Sequence, residues 1–204
     1  MKQGFLGLTL ALLGSATTVA AADYADPTWP CIQRKVENLS AGLMWSLPQP
    51  EVPFPVDAAV GLEIAILADT LSLRRIPAEE LQSLIDEFAA RHDGDPALLG
   101  QVFTAVFEPL NKRRGRIIDG IGDFSLGQIA LSEKIDAARV EMSAQMAKTE
   151  PDFDKVDALE EQLDWDQVIF SDRQRSIEYL CETPVIIERR LFEIARMLQQ
   201  AAKT

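Results

Sequence analysis

The chain has a single histidine, two cysteines and two tyrosines among its 204 residues. One histidine, His92, argues against a histidine-based metal site, because such sites gather several imidazoles. No Cys-x-x-Cys occurs, so neither a redox pair of that kind nor a covalently attached haem is expected. Strand-like alternation is nowhere long enough to build a sheet, and no internal repeat is present. Past the N-terminus, the most apolar segment runs from Ala58 to Leu73. It is interrupted by Glu63 and Asp69 and is shorter than the roughly 20 residues of a membrane-spanning helix.

Positive charge is also scarce. Lys and Arg total 20 against 32 Asp and Glu, a formal net charge of -12. Such a surface repels phosphate backbones, so no nucleic-acid partner is expected. Lys112, Arg113, Arg114 and Arg116 are the local exception. A short basic run of this kind ordinarily ends up as a solvated helix face, and if it has a function, it fits an acidic partner or an anionic lipid surface. Glycines 115, 120 and 122 follow no strand, so they do not form a dinucleotide-binding turn.

The N-terminus is more informative. Lys2 precedes an uncharged apolar run from Phe5 to Leu13, and small residues follow to Ala20, Ala21 and Ala22. This layout predicts a cleavable secretory signal over residues 1–22, a mature chain from Asp23 and export to the bacterial periplasm. Cleavage removes Lys2 and no acid, taking the charge from -12 to -13. No cysteine directly follows the small residues, so neither a lipid anchor nor a transmembrane anchor is expected in the mature protein. Cys31 and Cys181 are then most simply a disulfide joining the two ends of the mature chain.

Helical periodicity dominates the rest. A short helix is expected from about Pro30 to Ala41, opened by Thr28 and Trp29, followed by an extended connector at Pro48, Pro50, Pro53 and Pro55. Val60, Ile64, Leu67 and Leu71 mark one helical face behind a cap at Asp57. Leu81, Leu84, Ile85 and Phe88 mark the next, after Pro77. His92 to Pro96 reads as a turn. Leu99, Phe103, Val106 and Leu110 continue the pattern until Pro109 and the three glycines predict a kink or break.

Further stripes are Leu131, Ile135, Ala138, Met142 and Met146, then Val156, Leu159, Leu163, Phe170, Ile177 and Leu180. Ile187, Leu191, Ile194 and Leu198 make the last, with Pro184 near its start. The fold class is therefore all-α: an antiparallel helical bundle of about five to seven helices, closed by one disulfide. Residues 23–56, a short helix and proline-rich connector, pack on a single domain formed by 57–204. The bridge is expected to fasten the N-terminal helix to a turn between the last two helices.

Two features on the long helices bear on function. Asp166 and Arg173 fall at apolar places of their stripe, where polar residues pair across the seam, face a partner, or mark an outward rotation of the stripe. Glu150, Asp152, Asp154, Asp157, Glu160 and Glu161 form an acidic stretch with oxygen ligands, yet without the turn glycine and terminal glutamate of a helix-loop-helix calcium loop. Acids at a helix start are explained by the helix dipole. No nucleophile–base pair, metal cluster or phosphate loop is visible, and no cofactor is expected.

These features favour an exported, non-enzymatic accessory protein that binds another periplasmic or envelope protein through the helices from Asp123 to Gln200. Asp166, Arg173, Lys112, Arg113, Arg114 and Arg116 are the candidate contacts. The alternatives are a small-ligand or divalent-cation carrier, and an enzyme with a carboxylate-based site.

Overall fold

The computed structural model describes residues 26–48 and 56–203. The expected signal at 1–22 and the prolines at 50, 53 and 55 lie outside them. The described residues form four α-helices and no strand: α1 (Ala58–Ser72), α2 (Ala78–Arg91), α3 (Pro96–Met146) and α4 (Phe153–Ala201). The all-α class and the disulfide stand, whereas the expected five to seven helices become four.

Three of the four helices start where an aspartate supplies an acceptor for the free N–H groups of the first turn. Asp57, Asp95 and Asp152 each accept a backbone N–H from the first turn, those of Ala59, Ala97 and Lys155, at 2.8, 2.8 and 3.1 Å. Pro96 opens α3, at a position where a missing N–H costs nothing. Glu79 and Glu80 in the first turn of α2 and Arg91 in its last complement the helix dipole. Between α2 and α3, Asp93 and Gly94 both take positive φ, 53° and 67°, as the sharp turn requires.

The helix count drops because α3 and α4 run unbroken for 51 and 49 residues. Pro109 and Pro184 both sit inside a helix. Each removes one ladder bond, a cost of about 3 kcal/mol, and the apolar burial along these long helices exceeds that. Leu99, Phe103, Ile118, Leu191, Ile194 and Leu198 are all fully buried, each worth roughly 1.5–3 kcal/mol. The glycines do not break α3 either. Gly122 and Gly115 lie on the side of α3 that faces the N-terminal segment, where an added Cβ would make ordinary contact with the Thr28 and Glu37 carbonyl oxygens at 3.5 and 4.0 Å.

α3 and α4 are antiparallel along their whole shared length. Arg114 pairs with Glu188, Gln128 donates to the Phe170 carbonyl, Lys134 pairs with Asp166, and Lys155 pairs with Glu141. At one end α1 and α2 complete a four-helix head, whose core joins Leu71, Leu81, Ile85 and Phe88 to Leu99 and Phe103 of α3 and Leu191, Ile194 and Leu198 of α4. Trp45, just beyond a short 3-10 turn at Ala41–Leu43, stacks on Phe103 with ring centroids 5.2 Å apart. Away from the head, among the described residues, α3 and α4 continue as a pair, packed through Ile135, Ala138, Leu159 and Leu163. This two-helix portion is the arm.

The helix expected from Pro30 to Ala41 does not form. The Asp26 carboxylate captures the Thr28 backbone N–H at 2.8 Å and its hydroxyl at 2.6 Å, a local turn that competes with helix. The irregular path that follows finds its hydrogen-bond partners on α3 instead. Ser125 Oγ donates to the Pro27 carbonyl at 2.6 Å, Arg114 to the Val36 carbonyl at 2.6 Å, and the Leu39 N–H donates to Asn111 Oδ1 at 3.1 Å. The segment therefore runs antiparallel to α3. The Cys31–Cys181 bridge, Cα–Cα 5.5 Å, fixes it to the middle of the continuous α4 rather than to a turn.

Candidate functional site

The six candidate contact residues read from the sequence are not brought together. Asp166 turns into the α3–α4 seam, only 6 % exposed, and its carboxylate meets Lys134 Nζ at 2.9 Å with Gln162 Nε2 at 3.5 Å. Arg173 is exposed and makes no ion pair among the described residues. The two polar positions therefore do not pair with each other: Asp166 lies inside the seam and Arg173 on the surface.

The basic run also divides. Arg114 is buried at 4 % exposure, donates to Val36 and pairs with Glu188 at 3.5 Å. Burial lowers its pKa, and the Glu188 carboxylate opposes that shift. Arg114 is thus a clamp between α3, α4 and the N-terminal segment. Lys112, Arg113 and Arg116 are exposed on the same helix.

The acidic stretch is different again. Asp152 caps α4, and Lys155 is spent on Glu141. Asp157, Glu160, Glu161 and Asp164 share one face of α4 with Trp165 and Val168, a shallow concavity on the arm surface. Helical spacing turns this face away from Leu159 and Leu163, which pack on α3. Trp165 is 65 % exposed and Val168 54 % exposed. None of the four carboxylates makes a salt bridge among the described residues. No three His, Cys, Asp or Glu side chains among the described residues gather in an arrangement able to hold a metal ion.

Composition and stripe counting do not single out Trp165 from the sequence, so this face emerges from the structure. The available signal was the offset of two between Leu163 and Trp165, which places the tryptophan off the buried stripe. Phe153, Ile169 and Tyr179 add further exposed apolar surface to α4, the last at 75 %. Isolated exposed apolar residues are ordinary, but an exposed tryptophan ringed by unpaired acids is a specific chemistry.

No model of a known protein family, no curated protein and no solved structure matches this chain. No helix among the described residues is long and apolar enough to cross a membrane.

Proposed function

We propose that this is an exported, non-enzymatic accessory protein of the periplasm that binds another protein through its arm. The partner segment is a basic amphipathic helix. Its apolar side covers Trp165 and Val168, and its Lys or Arg residues reach Asp157, Glu160, Glu161 and Asp164. The observation that carries the reading is Trp165, 65 % exposed on a regular helix with no basic neighbour in its concavity. Aromatic side chains supply large contact area at low entropic cost, and opposite charge speeds encounter and sets orientation. The disulfide supports export, since such bonds persist in oxidising compartments.

The arm suits this task mechanically. Its helices are held by the head and by the disulfide-fastened segment, so a partner meets a preorganised surface. The test is recovery of partners from a periplasmic extract with the intact protein and with the triple variant Glu161→Lys, Asp164→Lys, Trp165→Ala. Proteins recovered only by the intact arm, and binding it again when purified, support the reading. Identical recovery by both forms overturns it.

A further inference from the structure

On the head, well away from the arm, Arg74, Arg113, Arg189 and Arg190 line one cleft of about 280 Å³, and Glu193 is the single acid beside them. In a chain of net charge -12, four guanidinium groups against one carboxylate are a local inversion of sign. Like charges gathered at one site repel one another, and an anion placed between them relieves that repulsion.

The four arginines are not equivalent. Arg190 is committed to the fold: its Nε and Nη atoms donate to the carbonyls of Leu71, Leu73 and Ile76 at 2.9–3.2 Å, closing the end of α1. It contributes charge and has little donor capacity left. Arg74, Arg113 and Arg189 are exposed and make no hydrogen bond or ion pair with a side chain among the described residues. The nearby hydroxyls do not substitute for them, because Ser72 and Thr183 already donate to the Ala68 and Tyr179 carbonyls. Leu110, Ile186 and Ile187 give the cleft an apolar wall.

We propose that this cleft is an oxyanion site that takes a phosphate-bearing group, with the guanidiniums of Arg74, Arg113 and Arg189 as its donors. Guanidinium is the side chain best matched to phosphate, offering paired N–H groups in a fixed fork. The apolar wall then accommodates the carbon portion of a phosphate ester or of a lipid headgroup. The site is independent of the arm, so either can fail without the other.

The test uses the full mature chain and two probes: inorganic phosphate, followed by thermal unfolding at constant ionic strength, and phosphatidylglycerol vesicles, followed by co-sedimentation against phosphatidylcholine vesicles. A saturable rise in Tm with phosphate identifies a free phosphate group as the ligand; sedimentation with phosphatidylglycerol without a phosphate response identifies the lipid headgroup. In either case the Arg113→Gln and Arg189→Gln variants each weaken binding by roughly tenfold or more, while Arg173→Gln, which removes the same charge on the arm, leaves it unchanged. Both substituted arginines are exposed, and an unchanged circular dichroism spectrum establishes that the variants fold. Absence of both responses, or equal weakening by Arg173→Gln, overturns the proposal.

Discussion

Asp166 of α4 reaches Lys134 of α3 across the seam of the arm, with Nζ 2.9 Å from one carboxylate oxygen and 3.1 Å from the other. The carboxylate side chain is 9 % exposed and the lysine side chain 55 % exposed, so the two partners stand in unlike solvent. If Asp166 is neutralised as Asp166→Asn, the lysine turns to water, and the loss is under about 1 kcal/mol. If Lys134 becomes Met, a buried carboxylate is stranded with only Gln162 nearby, and the loss is about 1–3 kcal/mol. Chemical denaturation of the two single variants checks this asymmetry.

The Cys31–Cys181 bridge closes a loop of 150 residues. In the chain-entropy account, its removal destabilises the protein by about 4–5 kcal/mol. The α1–α4 core does not include either cysteine, so Cys31→Ser with Cys181→Ser retains its helical circular dichroism while its Tm falls. The same Tm drop is expected on adding a reductant to the unsubstituted protein.

Arg190 is a tie between α4 and the end of α1 through three carbonyls. Hydrogen bonds from a charged donor are worth about 1.5–3 kcal/mol each, and they are not additive. Arg190→Met therefore costs at least about 2 kcal/mol of stability. Hydrogen exchange in that variant quickens first in α1 and in the turn leading to α2.

Glu63 on α1 accepts from His92 Nε2 and Arg91 Nε, each at 3.2 Å. The His92 bond, ahead of the Arg91 bond and charge, holds the Glu63 carboxyl below its ordinary 4.5. A carboxyl lowered on folding stabilises the native state fully above its unfolded value, and that contribution is lost as pH falls through the lowered value. The share of stability that comes from the lowered Glu63 carboxyl is thus fully present above about 4.5 and is lost as pH falls below it. Glu63→Gln flattens that acid limb, as seen by comparing Tm against pH for the two forms.

Gly94 takes φ +67°, and a Cβ there would stand 2.8 Å from the Lys203 side chain and 3.1 Å from the Ala201 carbonyl oxygen. Its own carbonyl accepts the Lys203 N–H at 2.9 Å, holding the C-terminal residues on the α2–α3 turn. Gly94→Ala costs about 1–3 kcal/mol, read as a lowered denaturation midpoint.

Much of the helical pattern was legible because burial here follows simple periodicity. Ile64, Leu67 and Leu71, then Leu81, Ile85 and Phe88, face the head core as their spacing requires. The breaks were not legible. Pro109, Pro184 and three glycines carry the local signals of helix ends, yet burial along two long antiparallel helices overrides them. Gly115 and Gly122 instead face residues 26–39, a segment whose path depends on Asn111, Arg114 and Ser125, far away in sequence. The basic run was a single feature in the sequence, but helical rotation buries Arg114 and leaves Lys112, Arg113 and Arg116 in water. Charge counting alone does not reveal that Arg113 joins Arg74 and Arg189 from other elements.

Trp165 reports directly on the proposed docking of a basic amphipathic helix on the exposed acidic–aromatic face of α4. Its emission is obtained as the difference between the unsubstituted protein and Trp165→Phe, during titration with a designed helical peptide of Lys and Leu at low and high salt. Docking gives a saturable blue shift, weakened by salt and absent in Glu161→Lys/Asp164→Lys. An unshifted Trp165 emission at saturating peptide, or a shift that the charge-reversed arm retains in full, contradicts it.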